Sequence, residues 1–339
     1  MKNFKCPSCK NQVFFENVQC ENCGNHLAFS PKSLSMVAYN QKFINTVSGE
    51  QTNLCSNNQL NTCNWILTEQ DHSKFCIACN LNRTIPNLSD SENYHKWVKL
   101  EKAKHRLVFQ LLNLGLPISR KSESNFKGLC FDFLSENNAA DAMTGHAEGV
   151  ITILLPEADS VHLERMKRRL SEPYRTLLGH FRHEVGHYYW NLLIKDSFEI
   201  NAFREFFGDE RADYSQALQH HYQKKQTDNW KTSYISDYAS SHPWEDWAET
   251  WAHYLHIMDT FETCAQNGLE TNATKKLDSF QVYKESDFKN ILDSAIPTLT
   301  VINSVNRSMG LTDIYPFVMN KAVIQKLHFI HNLLYKFRS

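Results

Sequence analysis

No stretch of eighteen consecutive apolar residues occurs in the 339-residue chain, so the sequence predicts no membrane-spanning helix. The opening residues, MKNFKCPSCK, lack the apolar core of a secretory leader, and the expected location is the cytoplasm. Charge of neither sign prevails: 36 Lys and Arg against 37 Asp and Glu leave a net charge of −1, which argues against a general nucleic-acid binder. Internal repeats and low-complexity blocks are missing as well. Cysteine almost vanishes beyond residue 79, where Cys130 and Cys264 stand alone and read as buried apolar residues.

The other eight cysteines crowd into the first 79 residues, and in a reducing compartment they point to metal rather than to disulfides. Cys6, Cys9, Cys20 and Cys23 follow C-x2-C-x10-C-x2-C, two knuckles with QVFFENVQ between them as a hairpin. Four thiolates so spaced can close a tetrahedron on zinc, which makes a zinc ribbon of residues 1–30. Cys55, Cys63, Cys76 and Cys79 are spaced more loosely, and only CIAC has knuckle spacing. They predict a second structural zinc in residues 31–90, against a redox pair with two buried thiols. A closed four-cysteine site leaves no position for substrate, so neither centre is expected to be catalytic.

The polar, proline-containing residues 81–90 read as a connector to a third region, 91–339. There, Trp97, Leu100, Ala103, Leu107, Leu111 and Leu114 recur at threes and fours, which predicts a helix over 94–116 stopped by Pro117. GLCFDFL and GVITILL read as strands. From Ser171 the pattern is helical nearly to the end, with breaks near Asp228, Pro243, Pro297 and Pro316 and a C-cap at Gly310. The basic runs KWVKLEKAKHR and ERMKRRL read as solvated helix faces.

Within LLGHFRHEVGHYYW, His183-Glu184-Val185-Gly186-His187 fits H-E-x-x-H. Histidines four apart share a helix face, so both imidazoles can reach one zinc, while Glu184 lies beside it as a general base. Pro173 supports a long helix running into the motif, with Phe181, Val185, Tyr188 and Leu192 opposite the ligand face. His180 reads as incidental. A histidine-rich core helix would show the same spacing, but two downstream acidic segments supply what such a helix has no need of. In HPWEDWAETWAHYLH, Glu245 and Glu249 stand one turn apart, separate from a core stripe of Trp247, Trp251, Leu255 and Met258. One of those carboxylates would be a third ligand and the other would orient a ligand histidine. FREFFGDERADY competes with Glu205, Asp209, Glu210 and Asp213, although Arg204 and Arg211 suggest ion pairing there instead.

Taken together, the front clusters, CNWIL, FCIACNLNRTIPNL, MTGHAEGVITI, EPYRTLLGHFRHEVGHYYW, FGDERADY, HPWEDWAETWAHYLH and NSVNRSMGLTDIYPFV resemble the zinc-binding metallopeptidases that carry an N-terminal zinc ribbon. The wider class is the gluzincins, and EDWAE is similar to the ligand segment of anthrax lethal factor. The resemblance implies Glu245 as third zinc ligand, Glu249 as its outer partner, and Tyr238 as donor to a developing oxyanion. It also implies an α+β fold, a mainly helical zincin-like domain with a small sheet, in which GVITILL lies beside the zinc helix as an edge strand for a peptide.

The expectation is therefore a cytoplasmic zinc metallopeptidase with one catalytic and one or two structural Zn2+, acting on a peptide or protein. His183, His187 and Glu245 hold the metal and Glu184 activates the water. A protein partner through the ribbons is expected; membrane is not. The rival is a non-catalytic zinc scaffold whose ribbons bind a protein or nucleic acid, and hydrolysis of a non-peptide amide is a third reading.

Overall fold

A computed structural model describes residues 2–69, 71, 73–135, 143–170, 176–223, 228–269, 271, 282–314 and 319–338. Ser171, Pro173 and Pro316 lie outside them. The chain is α+β, about half helical with small sheets. It divides into two compact units: 1–144 with 152–158, and 145–151 with 159–339.

In the first unit, β1 (Phe4–Lys5) pairs antiparallel with β2 (Gln12–Val13), so the first knuckle sits in the turn of its own hairpin. The second knuckle is likewise closed by a Gln19–His26 bridge. QVFFENVQ is thus not a hairpin; it links two small hairpins. Both knuckles use the same turn: Lys10 N–H donates to the Cys6 carbonyl, Gly24 N–H to that of Cys20, each at 2.9 Å. Both residues take positive φ, 64° and 72°, which glycine adopts freely and lysine does not. Next, β3 (His26–Ser30) pairs antiparallel with β4 (Ser35–Tyr39), placing Leu27 opposite Ala38.

β5 (Asn82–Thr84) leads to α1 (Ser91–Asn113), whose Asp90 cap accepts from the Glu92 and Asn93 N–H groups. α1 ends before Pro117, because Gly115 turns the chain at φ 67°. Phe109 of α1 packs against Phe4, Phe15 and Phe29 at ring separations of 6.0, 5.2 and 5.6 Å. Trp65 joins them, 4.7 Å from Phe29. That shared aromatic core carries the first unit past the connector at 81–90 and takes in α1 with the cysteine centres. Lys104 and His105 of α1 are buried, contrary to a solvated basic face. β5 also pairs parallel with β6 (Cys130–Leu134).

β7 (Gly145–Ala147) and β8 (Val150–Leu154) flank the two-residue turn Glu148-Gly149, both at positive φ. The sheet order is β5-β6-β8-β7.

The second unit continues with α2 (Ser160–Leu170), α3 (Leu177–Leu193), α4 (Ile200–Phe207), α5 (Tyr214–Gln223), α6 (Pro243–Gln266), α7 (Phe288–Ser308) and α8 (Lys321–Arg338). The strand lying against α3 is β7, not β8 as expected for GVITILL. Pro243 opens α6 at its first turn, where a missing N–H costs nothing. Pro297, in contrast, does not break a helix but sits inside α7. Burial of Ile291, Leu292, Ala295 and Leu299 holds that helix together across it. Met309 then caps α7, and Leu311 N–H returns to the Asn306 carbonyl across Gly310, whose φ is 75°. Cys130 and Cys264 are buried, as their isolation suggested. Among the described residues no helix is long and apolar enough to cross a membrane.

Candidate metal centres and active site

The pairing of α3 with α6 creates the site. Gly186 lets the helices meet closely: a Cβ there would lie 3.1 Å from Trp251 Cδ1 and 3.2 Å from Ala248 Cα. Trp247 Nε1–H donates 2.9 Å to the Gly186 carbonyl, and Tyr189 stacks on Trp251 at 5.2 Å. The indole stripe of α6 is therefore fixed against the middle of the H-E-x-x-H segment. Glu245, in the first turn of α6, is carried to the two histidines of α3.

Three donor atoms converge. His183 Nε2 and His187 Nε2 are 3.2 Å apart, and Glu245 Oε2 lies 3.0 Å from the first and 3.5 Å from the second. A tetrahedral zinc with bonds of about 2.0–2.1 Å requires donors roughly 3.3 Å apart, so this triangle is one face of such a tetrahedron. The donor chemistry agrees. Glu249 Oε1 accepts from His183 Nδ1 at 2.7 Å, which fixes the proton on Nδ1 and leaves the Nε2 lone pair facing the triangle. Glu245 Oε2 is buried without a hydrogen-bond partner among the described residues. Lone pairs so close, buried in a core, repel one another unless a cation lies between them. The residues fit zinc.

Supporting contacts surround the triangle. Ser236 Oγ–H donates to Glu249 Oε2 at 2.6 Å. Burial alone would raise the Glu249 carboxyl, but the bonds from His183 and Ser236 hold it down at about 2. Tyr214 O–H donates to Glu245 Oε1 at 2.7 Å. Burial and the Glu245 charge push that phenol well above its ordinary range, so it stays a donor. Trp244 covers His187 with ring centres 3.9 Å apart.

Glu184 is 5% exposed, beside the triangle and not in it. His180 Nε2 stands 3.2 Å from Glu184 Oε1, so the histidine taken as incidental touches the expected base. Burial would raise Glu184, yet the His180 bond and the neighbouring imidazoles lower it to about 2, keeping it ionised. Tyr238 begins a short 3-10 turn, Tyr238–Ser241, with its ring 6.0 Å from that of His183. His146 on β7 lies 6.2 Å from the His187 ring.

The acids of the competing segment turn elsewhere. Arg204 grips Glu210 at 2.6 and 3.0 Å, and Arg211 grips Asp209 at 2.7 and 2.8 Å. None of Glu205, Asp209, Glu210 or Asp213 joins the histidine donors. What the segment contributes is Tyr214, its last residue. The tyrosine had no legible signal, because attention to metal donors passes over a phenol that serves one of them. Ser236 and Trp244 were missed for the same reason.

The cysteines gather into two further sets, Cys6, Cys9, Cys20 and Cys23, and Cys55, Cys63, Cys76 and Cys79, each with all Sγ atoms within 4.8 Å. Cys6–Cys23 and Cys63–Cys76 are 3.7 Å apart and Cys9–Cys20 3.5 Å. Four sulfurs about 2.3 Å from one zinc lie roughly 3.8 Å from one another, and no pair approaches disulfide length. The second set is wholly buried, whereas Cys23 of the first is exposed.

Comparison with known proteins supports zinc binding. Residues 93–333 match the family described as "Putative zinc-binding metallo-peptidase", and residues 3–90 match a zinc-ribbon domain. Uncharacterized proteins of Mycobacterium tuberculosis (strain H37Rv) and Mycobacterium bovis are each 40% identical over 335 residues, 98% of this chain and 95% of their own length. No solved structure matches.

Proposed function

Since the chain belongs to this zinc-binding metallopeptidase family, with a zinc ribbon in front, we propose that it hydrolyses peptide bonds at the His183–His187–Glu245 site. The observation that carries the reading is the three-donor triangle with the buried Glu184 carboxylate beside it and outside the donor set. A purely structural centre has no use for such a carboxylate. Zinc held by His183, His187 and Glu245 would supply Lewis acidity toward the scissile carbonyl and toward water. Glu184 takes a proton from the attacking water and passes it to the leaving amine. Glu249 keeps the His183 proton on Nδ1, while Tyr214 holds the far oxygen of Glu245. Tyr238 donates to the developing oxyanion, and β7 aligns an extended peptide along the sheet edge. With the two cysteine centres the chain carries three zinc ions, and its free cysteines suit the cytoplasm.

Glu184→Gln tests the reading. Zinc content should stay at three per chain, while cleavage of a quenched-fluorescence peptide library falls by at least ~10²-fold, the usual scale of a lost general base. Equal rates in the two proteins would refute the mechanism. A three-zinc wild type that cleaves nothing in the library would favour the scaffold.

A further inference from the structure

The second cysteine centre has a neighbour that the ribbon pattern does not include. His105, on α1, puts Nε2 3.4 Å from Cys79 Sγ. At that distance the ring nitrogen is in direct contact with the sulfur, next in line behind it. The imidazole is prepared to be a ligand. Its Nδ1 lies 2.6 Å from the Glu101 carbonyl, which can only accept, so the proton belongs on Nδ1 and the Nε2 lone pair faces Cys79. The Trp65 ring, 5.4 Å away edge-on, fixes the plane, and His105 is 4% exposed.

Glu101 lies near the same sulfur, at 3.8 Å, but is spoken for. Lys104 Nζ bonds its two oxygens at 2.8 and 3.0 Å, and both side chains are fully buried. A second cation beside that ammonium would meet like charge, so the cluster does not hold another ion. The group of donors around His105 contains Cys79 and Glu101 and none of Cys55, Cys63 or Cys76. His105 thus stands behind one particular cysteine.

We propose that His105 is a reserve ligand of the second cysteine centre, taking the place of Cys79 on zinc when that thiolate is lost. The inference rests on zinc at this centre and is independent of peptidase activity. Four thiolates bind in the intact protein; without Cys79, a small movement of the ring gives three thiolates and one imidazole, an ordinary structural zinc set.

The experiment is a cysteine-to-serine series on the full chain, read by native mass spectrometry for zinc and by cobalt substitution for the thiolate bands. Cys79→Ser should keep three zinc ions, with cobalt absorption shifting from a four-thiolate to a three-thiolate, one-nitrogen pattern. Cys63→Ser and Cys76→Ser should drop to two zinc ions. The double variant Cys79→Ser/His105→Ala should also drop to two, whereas His105→Ala alone keeps three and the four-thiolate spectrum. Loss of zinc from Cys79→Ser equal to that from Cys76→Ser would overturn the proposal. So would retention of zinc in the double variant. If the serine variants fail to fold, the alanine variants carry the same comparison: Cys79→Ala should keep the zinc that Cys79→Ala/His105→Ala loses, and equal loss from both would overturn the proposal.

Discussion

The cysteine centres and the histidine–glutamate site differ in how many donors converge and in how those donors are brought together. Cys6 and Cys23 are 17 residues apart, and the turns that carry them are short hairpins held by their own backbone bonds. His183 and Glu245 are 62 residues apart, on helices whose spacing depends on Gly186, Trp247 and Trp251. Four thiolates enclose an ion, whereas two imidazoles and one carboxylate leave a face open. Local turns suffice for a closed structural centre. An open site needs a rigid core, because nothing else replaces the missing ligand.

The sharpest way to break this contrast is Glu245→Ala. Two histidines alone under-coordinate zinc, so one zinc of three should leave under mild chelation while both cysteine centres keep theirs, as elemental analysis would record. Affinity should fall by more than the roughly 100-fold upper range of an outer-shell loss. Retention of all three would mean that the ligand set lies elsewhere.

Glu249→Ala should have the next largest effect. His183 would lose the acceptor at 2.7 Å that fixes its tautomer, so competition with a chromophoric chelator should show zinc bound about 10–100-fold more weakly. An effect as large as that of Glu245→Ala would make Glu249 a ligand.

The smallest effect belongs to the competing segment. Glu210→Ala breaks the paired bonds to Arg204 outside the donor triangle. Zinc content should not change, and thermal unfolding should register a loss of about 1 kcal/mol or less. Release of zinc here would transfer the third ligand to the earlier segment.

Much of the candidate site was legible because metal chemistry is written in donor identity and helical spacing. His183 and His187 share a face wherever the segment is helical, and Cys6, Cys9, Cys20 and Cys23 sit at knuckle spacing. Glu245 and Glu249 were singled out by one-turn spacing and by a family resemblance. Only the packing of α6 on α3 put one of them on the Nε2 side of His183 and the other on the Nδ1 side.

The sequence by itself determined the donor types, the two knuckles of the first ribbon and the helical course of residues 177–193 and 243–266, since each depends on neighbours within a few turns of chain. Tertiary structure alone decided that α1 joins the first unit through Phe109, that Pro297 is accommodated within a helix and that Tyr214 reaches Glu245. It alone set His105 behind Cys79. Periodicity marks His105 as one more polar residue in a basic run. Whether such a residue meets water or a thiolate depends on which distant segment packs over it, and that contact carries no local signature.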